Sequence, residues 1–409
     1  MFFLKTKPRE LKPVGDRGPL NVMFLLSSMP VGGAETLLVN LVRRMSDGFR
    51  PQICCLKELG ELGESISNEF PTHSNLIKHK YDVGVISRLK KLFHDNEIDA
   101  IVTVGAGDKM FWGRIAANRS RVPVILSALH STGWPDGVGK LNRTLTSITD
   151  AFIAVAKSHG EFMVDFEKFP LDKVKVIPNG VDTDRFRRDR FDGQVVRKEL
   201  GIDPHDPVCG IIAALRSEKN HMLFLRSAAL VTKEIPEAKF LIVGDGPEKE
   251  MLTSAVNDLA LKDNVIFTGS RSDIPELLSA VDVFSLTSRN EASPVSIMEA
   301  MSMEIPVVAP DVGSISDTVS HGETGFLFNN GEAECIADFW ISLFNDADLS
   351  RRFGEAGRRV IVENSSLDVM VKGYEELINQ VYTSKVSGEF SRDLEWQAGK
   401  FTEPAGVSS

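Results

Sequence analysis

The chain has 409 residues, of which 42% are hydrophobic and 25% charged, and its formal net charge is −10. That is long enough for two domains of about 180–200 residues, each with a full core. No apolar run reaches the eighteen or so residues that a membrane-spanning helix needs, which excludes an integral membrane protein of the helical kind. The opening stretch, MFFLKTKPRELKPVGDRG, turns polar, basic and Pro/Gly-rich after three apolar residues. It is neither a signal peptide nor an anchor, so residues 1–19 read as a flexible lead-in and the mature protein as cytoplasmic. Charge is uneven: residues 1–190 carry 28 Lys and Arg against 22 Asp and Glu, net +6, and the remainder carries 19 against 35, net −16. The basic half suits an anionic partner such as a membrane surface or a phosphorylated lipid, if its faces are not simply solvated. Cys54, Cys55, Cys209 and Cys335 form no CxxC pair and read as buried thiols in a reducing compartment.

In chain order, short β-branched runs alternate with helical patterns. Strands are predicted at 21–28, 51–56, 98–104, 122–129, 150–156 and 173–179, with helices such as 34–45 and 85–95 between them. The alternation starts again at 207–215 and continues through 239–246, 264–269, 281–288 and 305–310. Such a pattern predicts parallel sheets covered by helices on both faces, hence two doubly wound α/β domains. Periodicity is lost from Asp182 to Pro207, which marks the seam. The boundaries are set at 20–190 and 191–366, followed by an amphipathic helix at 367–383 and a polar tail from 384 to 409.

The chemistry-bearing residues fall at the C-terminal ends of strands, where open α/β sheets bind ligands. MPVGGAE (29–35) follows the first strand, and Gly32 and Gly33 let backbone approach a ligand before a helix begins near Ala34, although a tight turn explains a lone Gly-Gly equally well. The segment 104–121 places Met110, Phe111 and Trp112 beside Lys109, Arg114, Arg119 and Arg121, a composition compatible with a core helix or with contact to a lipid surface. His130 ends the strand VPVILSAL, and Lys140, Asn142 and Arg143 follow it. PNGVD (178–182) makes a turn toward the seam. In ALRSEKNH (214–221), Arg216 offers a planar bidentate donor and Lys219 a point charge, a pair suited to a diphosphate. GDGPE (244–248) lacks the third glycine of a dinucleotide fingerprint, which disfavours an NAD dehydrogenase, and reads as a strand-to-helix turn. Finally, SRNEASPVSIME (288–299) follows a strand and opens a helix with Ser293 as N-cap and Pro294 at the first helical position. The free N–H groups of that helix start favour a phosphate, Glu299 about one turn further in can accept from a ribose diol, and Glu291 faces what the phosphate carries.

At EASPVSIME the chain resembles the retaining nucleotide-sugar glycosyltransferases of group 1, also called glycosyltransferase family 4, whose signature is a Glu, seven residues and a second Glu. The resemblance spans roughly residues 20–383. It implies the GT-B fold: two Rossmann-like doubly wound domains facing a central cleft, with the C-terminal helix crossing back to the first domain. It implies transfer of a sugar from a nucleotide diphosphate to an acceptor hydroxyl, on a glycan or a lipid-linked glycan, with retention. In that reading His130, Glu291, Arg216 and Lys219 are catalytic. Gly32, Gly33, Gly269, Arg271, Ser293, Pro294, Val295, Ser296 and Glu299 bind the donor, with Gly269 and Arg271 in FTGSRSDIPE (267–276) cupping the base. No metal or other cofactor is expected, since there is no Asp-x-Asp motif or His cluster, and no nucleic acid. Peripheral contact with the inner face of an anionic membrane is expected as an option. A sugar phosphorylase, a nucleotide-sugar epimerase or a silent nucleotide-sugar binder share the fold and stay open as alternatives.

Overall fold

A computed structural model describes residues 11–79, 82–105, 108–129, 143–329 and 331–388, with side chains from 111 onward in the third helix below. His130, Lys140 and Asn142 lie outside the described residues. The chain divides into two compact units, residues 1–178 with 368–409, and residues 179–367.

The first unit is built on a parallel sheet of β1 (Leu20–Leu26), β2 (Phe49–Cys55), β3 (Thr72–His73), β4 (Ala100–Val104), β5 (Val124–Ala128), β6 (Ala151–Ala154) and β7 (Val174–Val176), in the order β3-β2-β1-β4-β5-β6-β7. Helices α1 (Gly33–Arg44), α2 (Val85–Asp95) and α3 (Asp108–Ser120) are among its connections. Each predicted strand is present, and β1 and β4 are buried nearly throughout, as both-face burial in a parallel sheet requires. The lead-in is docked from residue 11 rather than loose: a short helix at Val14–Arg17 brings the Arg17 guanidinium to 2.9 Å from fully buried Asp99, which also accepts from the Asn21 N–H at 2.9 Å. A carboxylate with no water around it needs such partners.

The second unit holds β8 (Val208–Ile212), β9 (Lys239–Val243), β10 (Val265–Gly269), β11 (Val283–Ser285), β12 (Val307–Pro310) and β13 (Gly325–Phe328), again parallel, in the order β10-β9-β8-β11-β12-β13. Its helices include α4 (His221–Val231), α5 (Lys249–Asp258), α6 (Val295–Ser302), α7 (Ala333–Asn345) and α8 (Ala347–Asn364). Phe224, Phe240 and Trp340 meet at its centre with ring centroids 5.0–6.1 Å apart, within the range where aromatic pairs attract.

The seam lies at Pro178–Asn179, at the predicted PNGVD turn and ahead of the 190 boundary read from the loss of periodicity. There Val181 donates its N–H to the Ser365 carbonyl at 2.9 Å and accepts from Leu367 N–H at 2.8 Å, so the two segments that leave the second unit are hydrogen-bonded to each other. The C-terminal helix α9 (Leu367–Ser387) then returns to the first unit. It buries Tyr374, whose hydroxyl burial pushes up and whose ring lies 6.4 Å from that of Phe24. Tyr382 Oη donates to the Lys12 carbonyl at 3.2 Å, and Lys385 Nζ lies 2.6 Å from Asp150 Oδ1. The helix thus extends past the predicted end at 383.

Candidate active site

In each sheet the strand order reverses between its first strand and a later one, β1 with β4 and β8 with β11, and at such a switch point the flanking loops diverge and leave a crevice. In the second unit the loops after β8 and β11 bring the predicted residues together. Lys219 Nζ lies 2.6 Å from Glu291 Oε1, with side chains 25% and 10% exposed. Arg216, at the start of a short 3-10 turn (Ser217–Lys219), is exposed and makes no side-chain hydrogen bond or ion pair among the described residues. A cation and a carboxylate are therefore paired while a second cation is left available to an anion.

Backbone contacts invisible in the motifs fix this pair. Thr287 Oγ1 donates to the carbonyls of Lys219 and Asn220 at 3.2 and 3.1 Å, and the Arg289 N–H donates to the Glu218 carbonyl at 2.9 Å. Asn220, at φ 53°, takes the left-handed conformation that ends the turn and starts α4. Glu291 is held from the other side by the turn after β12. The Ser314 N–H donates to the Glu291 carbonyl at 3.1 Å, Ser314 Oγ donates to the Ala292 carbonyl, and Gly313, at φ 61°, passes so close that an added Cβ would lie 1.8 Å from the Glu291 carbonyl oxygen. Only glycine satisfies both the positive φ and that approach. GDGPE serves a related purpose, since Cβ atoms on Gly244 and Gly246 would strike the Ala213 and Leu215 carbonyls, the strand end that leads into Arg216.

Helix α6 starts at Val295, one residue later than predicted. Pro294, in an extended conformation (φ −74°, ψ 107°), occupies the N-cap, and neither it nor Ser293 supplies a side-chain cap. Proline has no acceptor to offer, so the N–H groups of Val295 and Ser296 stay without an intrahelical partner and point out of the helix start. Glu299 lies on the first full turn of that helix. Loss of water around its carboxyl pushes it up to about 8, against the opposing pull of the Arg185 charge.

The base loop after β10 differs from expectation. Gly269 takes φ 71° and its carbonyl accepts from Gly244 N–H at 2.9 Å. Arg271 is held by Asp273, at 2.5 Å, and by Glu199, at 2.8 Å, and those bonds push its guanidinium up. A fork with two carboxylate partners braces its loop, and its edge donors are engaged within the protein.

In the first unit, Gly32 is the N-cap of α1 and Gly33 its first residue. Gly32 is extended at φ −163°, a Cβ there would meet only the movable Glu35 carboxylate, and one on Gly33 would meet nothing. The protein's own packing does not demand these glycines. Their loop is pinned through Met29, which donates to the Leu59 carbonyl at 3.0 Å and accepts from Leu62 N–H at 3.1 Å. Arg143 donates to the Phe166 carbonyl at 3.3 Å. Arg114, counted among the cations of a lipid-facing segment, is fully buried instead. It donates to Thr149 Oγ1 at 3.0 Å and lies over the Phe152 ring, and burial lowers it to about 10. Trp112 packs against the core. Among the described residues no helix is long and apolar enough to cross a membrane. The cysteines are buried except for the partly buried Cys335, and burial pushes the Cys55 thiol to about 12.

Two doubly wound units with parallel sheets make up the GT-B architecture. The crystal structure of Anabaena HepE in complex with UDP shares this fold, with a TM-score of 0.78 at 22% identity over 88% of this chain and 100% of that one. The family described as Glycosyl transferases group 1 matches residues 193–360, and Glycosyltransferase Family 4 matches residues 31–185. The chain belongs to the group 1 glycosyltransferases and is an enzyme of that kind. It is 29% identical to the N-acetyl-alpha-D-glucosaminyl L-malate synthase of Bacillus anthracis over 76% of this chain and 82% of the relative. It is 26% identical to the UDP-Gal:alpha-D-GlcNAc-diphosphoundecaprenol alpha-1,3-galactosyltransferase of Escherichia coli over 75% and 82%.

Proposed function

We propose that this glycosyltransferase takes its sugar from a nucleotide diphosphate sugar and passes it to an acceptor hydroxyl, on a glycan or lipid-linked glycan, with retention at the anomeric carbon. The observation that carries the proposal is the Lys219–Glu291 pair at 2.6 Å, beside free Arg216 and the open start of α6. Lys219, Arg216 and the N–H groups of Val295 and Ser296 neutralise the departing diphosphate, which is where charge develops in the transition state. Positive charge from these groups makes the reaction independent of a divalent metal. Glu299 accepts from the ribose hydroxyls, and Glu291, aligned by Lys219, orients the sugar together with His130.

In this reading Glu291 holds the sugar, and the family resemblance gives His130 the same part, so neither is left as a base on the face opposite the leaving group, as inversion requires. The departing phosphate oxygen takes the acceptor's proton on the same face, and the enzyme supplies orientation and charge stabilisation. UDP in HepE and UDP-galactose in the name of the E. coli relative support a nucleotide-sugar donor. The acceptors named for the relatives, L-malate and a diphosphoundecaprenol-linked sugar, differ, so the acceptor is read from the experiment.

Screening nucleotide sugars by thermal shift identifies the donor, because a bound ligand raises the melting temperature by mass action. Proton NMR of fresh product then reads the anomer: an α-glycoside from an α-linked donor is expected, and a β-glycoside overturns retention. Activity unchanged by EDTA is expected, and a strict divalent-cation requirement overturns metal independence. Sugar release that needs inorganic phosphate, or an altered sugar nucleotide formed without acceptor, identifies a phosphorylase or an epimerase instead.

A further inference from the structure

We propose that Arg185 binds the nucleoside end of the donor, where it takes the part that the family resemblance implies for Arg271. Four observations within the second unit converge on it. Arg185 is exposed, and no carboxylate lies within ion-pair distance of its guanidinium among the described residues, whereas Arg271 is held by Asp273 and Glu199. Its Nη2 donates to the carbonyl of Ser272, at 3.3 Å, in the loop that follows Gly269. Its guanidinium lies 5.4 Å from the centre of the Phe186 ring, close enough for a cation–π attraction. Its charge also reaches Glu299, the carboxyl placed to meet a ribose. One side chain therefore connects the base loop to the ribose carboxyl.

The backbone that carries Arg185 is rigid although the side chain is exposed. The Asp182 carboxylate accepts from the N–H groups of Asp184 and Arg185 at 3.2 and 3.0 Å. The Phe186 carbonyl accepts from Ser302 Oγ at 2.7 Å and from Arg358 Nη1 at 3.1 Å, and the Thr183 carbonyl accepts from Arg358 Nη2 at 3.3 Å. A surface arginine on so constrained a turn, with most of its five donors unspent, loses little backbone freedom when it meets a ligand. The ligand class is a nucleoside with hydroxyl and ring-carbonyl acceptors, such as uridine or guanosine diphosphate.

This inference rests on the donor site proposed above, and one titration series separates the two. Isothermal calorimetry compares wild type, Arg185→Ala and Arg185→Lys with UDP, GDP and inorganic diphosphate as probes. Expected is a loss of about tenfold in affinity for whichever nucleotide binds wild type, the scale of one charged hydrogen bond. Diphosphate affinity is expected to stay unchanged, with partial recovery in Arg185→Lys. Wild-type nucleotide affinity in Arg185→Ala overturns the role of Arg185 and leaves the donor site standing. An equal loss for nucleotide and diphosphate overturns it too, since the arginine then acts on the phosphates. Failure of wild type to bind either nucleotide overturns this inference, whose ligand class is a uridine or guanosine diphosphate, and failure to bind inorganic diphosphate as well overturns the donor site with it.

Discussion

The loops after β8 and β1 hold equivalent positions at the switch points of their sheets, yet they are built differently. The β8 loop carries Lys219, paired with Glu291 and clamped by Thr287, Arg289 and the Gly313–Ser314 turn, so the charged groups are set before any ligand arrives. The β1 loop carries Gly32 and Gly33, around which the protein places almost nothing. Charge stabilisation depends on groups that need no reorganisation during reaction, whereas open backbone provides room. In the proposed function the second unit's loop carries the charge, and the first unit's loop is left as open backbone.

The largest effect expected from breaking the braced loop is on turnover. Glu291→Ala is expected to lower kcat about 10²-fold or more, the scale of losing an orienting or charge-stabilising contact, with little change in nucleotide affinity by calorimetry. His130→Ala is expected to act alike; full activity in both removes the proposed site. Lys219→Ala is expected to weaken nucleoside diphosphate binding by about 1.5–3 kcal/mol, the usual range for a hydrogen bond to a charged group. Unchanged affinity would remove Lys219 from the phosphate site.

Gly313→Ala tests whether the clamp positions Glu291. The substitution forces a positive φ on alanine and a carbonyl out of its way, which costs about 1–3 kcal/mol in strain. Chemical denaturation reads that loss, and kcat is expected to fall further than stability alone explains, because Glu291 must shift. A stable variant with normal kcat shows that the clamp is dispensable.

A smaller effect is a pH dependence. The Glu299 carboxyl, ordinarily near 4.5, is held at about 8 in the folded second unit. Between those values the folded protein keeps a proton that the unfolded chain has released, so stability is expected to fall as pH rises from about 4.5 to about 8. Glu299→Gln is expected to flatten that slope in denaturation midpoints, and an identical slope in the variant assigns it to other groups. Gly33→Ala is the mildest change, expected to leave stability within about 1 kcal/mol of wild type, since a helix accepts alanine more readily than glycine. It is nevertheless expected to lower kcat/KM, and an unchanged kcat/KM removes the need for open space at α1.

Much of the fold was legible because both-face burial in a parallel sheet demands continuous apolar runs, and β1, β4, β5, β8, β9 and β12 carry them. The edge strands β3, Thr72–His73, and β13, Gly325–Phe328, are only partly buried and hold no run of β-branched residues. The acids and cations of the candidate site stand out in the sequence for a similar reason, since strand-end loops and a helix start are local features and Lys219, Glu291 and Glu299 sit on them. What the sequence alone could not decide was the partner of each charge. Arg271 and Arg185 are both arginines near a turn, and only folding brings Glu199, 72 residues away, to Arg271 and leaves Arg185 beside Ser272. Arg114 suits a core helix or a lipid-facing one until packing buries it against Thr149 and Phe152, and Ser293 reads as a cap until Pro294 takes that position. Periodicity and spacing are properties of neighbours along the chain, whereas desolvation and ion pairing are properties of neighbours in space, and the second set exists only once the sheets have closed.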